Sequence, residues 1–144
     1  MGPELGFKHL EHISEAYVEA WGSTLEEAFE NAGRAFFDIM TDVNSVEPVR
    51  EVELRVEAED LEALLFEWIT ALLVEFDTTG MVFSKFQVAI EKTDGRFRLR
   101  AKAYGEPYDP ERHPPKVEVK AMTYSLMEIK QEDSGYRIRY VVDI

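Results

Sequence analysis

An α+β fold, two helices packed on a mainly antiparallel β-sheet in one domain, is what the sequence predicts, and three observations predict it. Charged and apolar residues alternate in several short segments, the period of strands with one wet face. Two longer segments instead repeat their apolar residues every three or four positions, the period of a helix. The elements follow one another as strand, helix, strand, helix and then a run of strands, which is the order of an α+β layer rather than of a parallel α/β sheet. At 144 residues the whole chain, 1–144, is the size of one domain and can bury a core without staples.

Each element has a local cause. In Glu15-Ala16-Tyr17-Val18-Glu19-Ala20-Trp21 the charges alternate, and Gly22 ends the strand. Ser23 and Thr24 stand three residues before Glu26 and Glu27, the spacing of a capping box, so a helix is expected over 24–40, with Leu25, Phe29, Ala32 and Phe36 on its apolar stripe. Val52, Leu54, Val56 and Ala58 alternate with Glu51, Glu53, Arg55 and Glu57, a half-buried strand. Asp60 caps a second helix over 61–76, apolar almost all round and therefore expected to be the more buried of the two. Strand patterns over 81–91 and 96–104 flank Lys92-Thr93-Asp94-Gly95, and an Asp-Gly pair in that place signals a hairpin. Residues 105–115 hold four of the six prolines and are expected to form a loop. Strands over 116–124, running on to 130, and over 136–144 close the chain around a Ser134-Gly135 turn.

Composition narrows the function. With 16 basic against 29 acidic residues the formal net charge is −13, which disfavours direct nucleic-acid binding, because phosphates require a basic footprint. The charge is uneven: residues 1–80 carry 19 acidic and 4 basic side chains, residues 81–144 carry 10 and 12. An acidic half suits solubility, a cation or a basic protein partner. No cysteine is present, which removes disulfides, thiolate nucleophiles and cysteine-based metal sites. No apolar run reaches the roughly 20 residues of a membrane span, and residues 1–8 lack the apolar stretch of a secretory signal. A soluble, cytoplasmic protein without membrane contact is expected. The common phosphate loops, zinc-protease helices and serine-hydrolase elbows are missing, so a standard NTPase or hydrolase is disfavoured.

Several residues could carry chemistry. Arg96, Arg98, Arg100 and Lys102 project from one face of a single strand, either to dock an acidic partner or a phosphate or simply to offset acidic neighbours. His9 and His12 are three apart, but a strand would put them on opposite faces. His113, in the proline-rich loop, reads as an ordinary surface histidine. Lys120 lies within a strand pattern that reads as half-buried, either a functional cation or a snorkelling lysine. Asp143 is next to last, and Ile144 adds a free α-carboxylate, so the chain end gathers oxygens of the kind that hard cations take, unless it is only a solvated terminus.

Taken together, Leu10-Glu11-His12-Ile13-Ser14-Glu15, Ala20-Trp21-Gly22-Ser23-Thr24-Leu25-Glu26-Glu27-Ala28-Phe29, Ile39-Met40-Thr41-Asp42, Leu64-Leu65-Phe66-Glu67-Trp68, Tyr104-Gly105-Glu106, His113-Pro114, Glu118-Val119-Lys120-Ala121-Met122-Thr123-Tyr124 and Val142-Asp143-Ile144 resemble the archease family, in family order over essentially the whole chain. The resemblance implies a non-enzymatic accessory protein that activates an RtcB-type RNA ligase in tRNA splicing, promoting guanylylation of the ligase and multiple turnover. It further implies a divalent cation, Ca²⁺ in the first place and Mg²⁺ or Mn²⁺ otherwise, held by Glu15, Asp143 and the terminal oxygen of Ile144. His12, Asp42 and Lys120 are implied in activation, with tRNA and GTP met only through the ligase. Two departures stand out. The family pattern His-Thr-Ala-Asp here reads His12-Ile13-Ser14-Glu15, one methylene longer at the carboxylate. Lys116-Val117 replaces a Gly-Thr pair, and lysine avoids the positive φ that glycine tolerates.

Two rival readings remain beside this one. One is a metal-dependent phosphoryl-transfer enzyme using Glu15 and Asp143 as ligands and His12 or Lys120 as acid or base, against which the missing phosphate loop counts. The other is a metal-free interaction domain that uses its acidic first half.

Overall fold

A computed structural model describes residues 14–144. Strand β1, Glu15–Gly22, leads into helix α1, Leu25–Met40, and a 3-10 turn, Val43–Ser45. Strand β2, Arg50–Ala58, precedes helix α2, Leu61–Thr79. The remainder is strands: β3 Met81–Thr93, β4 Arg96–Pro107, β5 Ala121–Met122, β6 Glu128–Glu132 and β7 Gly135–Asp143. The capping box forms as the spacing requires: Thr24 Oγ1 accepts from the Glu27 amide at 3.1 Å, and Glu27 Oε1 accepts from the Ser23 hydroxyl at 2.9 Å. At the head of α2 the Asp60 carboxylate accepts from the Ala63 amide at 2.7 Å. In the β3–β4 hairpin Asp94 and Gly95 take φ of 54° and 76°, the paired left-handed values of the tight turn that fits strand twist.

The strands divide into two antiparallel sheets rather than one. In the first, β7 is central, flanked by β1 on one side and by β5 and β6 end to end on the other. The second has the order β2-β4-β3. Helix α1 packs on both β1 and β3, while α2 covers β2 and β4, so one core of Phe29, Phe36, Phe37, Trp68, Phe83 and Tyr140 fills the space between the sheets. Its polar tips are satisfied: Trp68 Nε1 donates to Phe29 O at 3.0 Å and the Tyr140 hydroxyl to Ala32 O at 2.9 Å, as buried donors require.

Three expectations are corrected. Helix α1, not α2, is the more buried, with seven of 16 residues inside against six of 19. Its small residues Ala28, Ala32 and Gly33 let both sheets approach, whereas α2 turns Glu62, Glu67, Val74 and Asp77 outward. Strand β4 runs on to Pro107, past the expected loop start, because Gly105 lies against the irregularity of β3 where a Cβ would collide with Val82 O. The expected strand over 116–124 shrinks to Ala121–Met122. Its first residues are stitched instead to the end of α1, Lys116 N–H to Met40 O at 3.0 Å and Val117 N–H to Ile39 O at 3.3 Å, and so satisfy helix-end carbonyls. Lys116 does so without a positive φ, which among the described non-glycine residues falls only at Asp94 and Leu126.

Candidate metal centre at the ends of the first and last strands

The register of β1 on β7 sets Glu15 directly opposite Asp143, and Ala121 of β5 faces Asp143 from the other side. Directly opposed residues project to the same face with Cβ atoms about 4.5–5.5 Å apart, so the two carboxylates share the outer face of the sheet. The ladder continues past the strand end: Ile144 N–H donates to Ser14 O at 2.9 Å, and Lys120 N–H donates to Asp143 O at 2.8 Å. These bonds fix the backbone from which the terminal carboxylate of Ile144 departs.

The charges on this face are unevenly paired. Glu19, two ranks along β1, accepts from Arg137 Nη1 at 2.9 Å and Arg139 Nε at 2.8 Å, and the Arg139 hydrogen bond holds its carboxyl below the usual range. Glu15 and Asp143 have no hydrogen bond or ion pair from any side chain among the described residues. Glu15 is exposed and Asp143 half-buried. Two carboxylates plus an α-carboxylate are hard oxygen donors of the kind a Ca²⁺ ion takes, although it usually gathers about six to eight. Among the described residues no group of three or more His, Cys, Asp or Glu side chains gathers for a metal, so this donor set fits a cation only with the terminal oxygens and further oxygens such as water.

The remaining expected site residues are placed as follows. His12, like His9, lies outside the described residues. Asp42 caps the 3-10 turn, its Oδ1 accepting from the Asn44 amide at 3.0 Å. Because α1 runs back antiparallel to β1 over a similar length, this turn returns toward the Glu15 end of the sheet, and no hydrogen bond or ion pair joins Asp42 to Glu15 or Asp143 among the described residues. Lys120 is corrected: it is exposed and lies just outside β5, not half-buried within a strand. It borders an open groove of about 610 Å³ between the C-terminal ends of the helices, lined also by Met40, Phe76, Tyr108 and Lys116. The arginine stripe of β4 is in part an exposed face that offsets acids, with Arg96 and Arg98 lying 3.7 and 3.6 Å from Glu57.

His113 is not a surface residue. It is fully buried, and the Asp109 amide donates to its Nδ1 at 2.9 Å, which leaves the proton on Nε2 to be donated to Glu106 Oε2 at 2.8 Å. Arg112 donates to both Glu106 oxygens at 2.7 and 3.1 Å, and the Glu47 amide adds a bond of 2.8 Å. Burial pushes the Glu106 carboxyl up, but the Arg112 hydrogen bonds, the Glu47 amide and His113 together bring it down to about 2. This clasp ties the end of β4 to the proline-rich segment and to the chain before β2. It thereby fixes the segment that delivers Lys120 to the edge of β7.

Comparison with known proteins gives this geometry its relatives. The Archease protein family profile matches residues 7–144. The protein archease of Thermococcus gammatolerans is 48% identical over 139 residues, covering 96% of this chain and 98% of that one, and that of Pyrococcus furiosus is 45% identical over the same shares. Among solved structures, the solution structure of Methanobacterium thermoautotrophicum protein 1598 superposes with a TM-score of 0.80 at 39% identity, covering 92% of this chain and 94% of that one. The crystal structure of an archease from Thermotoga maritima, described as a possible chaperone, shares the fold with a TM-score of 0.57 at 16% identity, covering 90% of each chain.

Proposed function

The chain belongs to the archease family, and from that premise we propose that it is a non-enzymatic protein cofactor that activates an RtcB-type RNA ligase in tRNA splicing, promoting ligase guanylylation and multiple turnover. The observation that carries the reading is the direct cross-strand pairing of Glu15 with Asp143 at a chain end where neither has a cation from the described part of the protein. Glu15, Asp143 and the Ile144 carboxylate would hold a divalent cation, Ca²⁺ in the first place, with Mg²⁺ or Mn²⁺ as alternatives. Bound there, the ion supplies positive charge of the kind that offsets phosphoryl oxygens during transfer. The chain's own groups orient it: the β1–β7 ladder holds both carboxylates on one face, and the bond from Lys120 N–H to Asp143 O fixes the backbone of Asp143 while Lys120 itself borders the groove at the helix ends. His12 and Asp42 are proposed to take part in activation as well.

Guanylylation of an RtcB-type ligase, measured with and without this protein, tests the proposal. Faster guanylylation and repeated sealing of tRNA halves are expected with it, and neither with Asp143→Ala. Lys120→Ala is expected to lower activation by about tenfold while leaving the melting temperature within about 2 °C, as for an exposed side chain. Turnover of nucleoside triphosphates by this protein alone would favour the phosphoryl-transfer reading instead.

A further inference from the structure

The outer face of the second sheet contains one rank that breaks its own charge pattern. Along β4, Arg98 stands between Glu57 and Glu91, and Lys102 stands between Glu53 and Gln87. Between these ranks Arg100 stands opposite Arg55 on β2 and opposite Ala89 on β3. Like charges directly opposite one another destabilise a sheet, and the acids of the flanking ranks, Glu53 and Glu57, stand opposite Lys102 and Arg98 rather than in this rank. Neither Arg55 nor Arg100 forms an ion pair among the described residues, whereas Arg96 and Arg98 both reach Glu57. The short side chain of Ala89 leaves a gap in the rank, and a concavity of about 320 Å³ opens there, bordered by Arg55, Arg100, Lys102, Gln87 and Glu53.

We propose that this concavity is an oxyanion site, built for a single phosphate or pyrophosphate group, free or at the end of a nucleotide. Two guanidinium forks and an ammonium supply donors of the geometry that phosphate oxygens take, and the Gln87 amide adds a neutral donor. The single carboxylate on its rim, Glu53, and the acids of the flanking ranks confine the favourable field to one anionic group. An extended polyanion crossing this face would meet Glu51, Glu57 and Glu91 as well, and a chain with a net charge of −13 would repel it. The site is distinct from the chain-end carboxylates, which lie on the other sheet, and its test does not depend on the ligase.

A site that sets two cations against each other has a signature that a solvated charge stripe lacks: losing one arginine removes anion binding without lowering the stability of the anion-free protein. The experiment compares thermal melting of the full chain and of Arg100→Gln, Arg55→Gln and Arg96→Gln in chloride, then in pyrophosphate or ATP at matched ionic strength. Wild type should rise by about 2–5 °C with millimolar pyrophosphate or ATP. Arg100→Gln and Arg55→Gln should lose that rise while melting no lower than wild type in chloride, and Arg96→Gln should keep it. A larger rise with ATP assigns the phosphate to a nucleotide and a larger rise with pyrophosphate assigns it to a free anion, and both support the site. No rise in wild type, or an equal rise in Arg100→Gln, overturns it.

Discussion

Glu106 is a buried carboxylate whose partners outweigh the cost of its burial. Its carboxyl is held at about 2, against an ordinary 4.5. A carboxyl with a depressed folded-state pKa stabilises the fold fully above the unfolded value and loses that contribution as pH falls through the folded one, so the window here runs from about 4.5 down to about 2. Glu106→Gln should therefore cost roughly 2–3 kcal/mol at pH 7, allowing for the half-exposed Arg112, and close to nothing at pH 2. Urea unfolding at the two pH values checks this, and an equal cost at both would mean that the clasp does not depend on ionisation. His113 shows why the clasp was not legible in the sequence. Its burial depends on a turn that brings the Asp109 amide to Nδ1 and on Glu47, 59 residues before Glu106 in the chain, and neither leaves a local pattern.

At the scale of the element, what local physics decides was legible and what distant packing decides was not. The capping box at Thr24, the Asp-Gly hairpin and the alternation of β2 each need only a few neighbouring residues, and each forms as expected. Residues 116–120 have a strand pattern yet spend their amides on the end of α1 and on β7, because a helix end with free carbonyls competed for them. Helix α2 is apolar enough to be buried all round, but only two sheets could have covered it, and α1 holds the place between them. The face it does bury is well defined: Leu65 is fully enclosed, so Leu65→Ala should cost about 2–5 kcal/mol. Val74, 52% exposed, should cost under about 1 kcal/mol when changed to alanine. Chemical denaturation of the two variants separates the faces, and similar costs would mean the helix is rotated from the orientation described. In the candidate site, the sequence pointed to Asp143 by its position at the chain end, and to Glu15 only through the family resemblance. That the two face each other depends on the β1–β7 register, which joins opposite ends of the chain.

For the whole molecule, a net charge of −13 predicts that free tRNA binds more weakly than about 1 μM at physiological salt, because counterion release requires an extended basic surface and the β4 cations are interleaved with Glu53, Glu57 and Glu91. Submicromolar binding in a filter assay would contradict this. The same excess of negative charge should favour a divalent cation where two carboxylates and the chain terminus meet, and the site joins the first described strand to the last. An ion held there cross-links the first described strand to the last and binds the folded state alone, so it should stabilise the fold. At a hundredfold excess over Kd the gain is about 2.7 kcal/mol, a rise in melting temperature of several degrees for a chain of this size. Asp143→Ala should abolish the rise, because it removes the carboxylate at the centre of the donor set. Glu15→Asp should preserve it, since the shorter side chain keeps its carboxylate on the same face of the sheet. Melting curves with Ca²⁺, Mg²⁺ and Mn²⁺ decide the matter: if all three leave wild type unchanged, or if Asp143→Ala responds as wild type does, Glu15 and Asp143 do not share an ion.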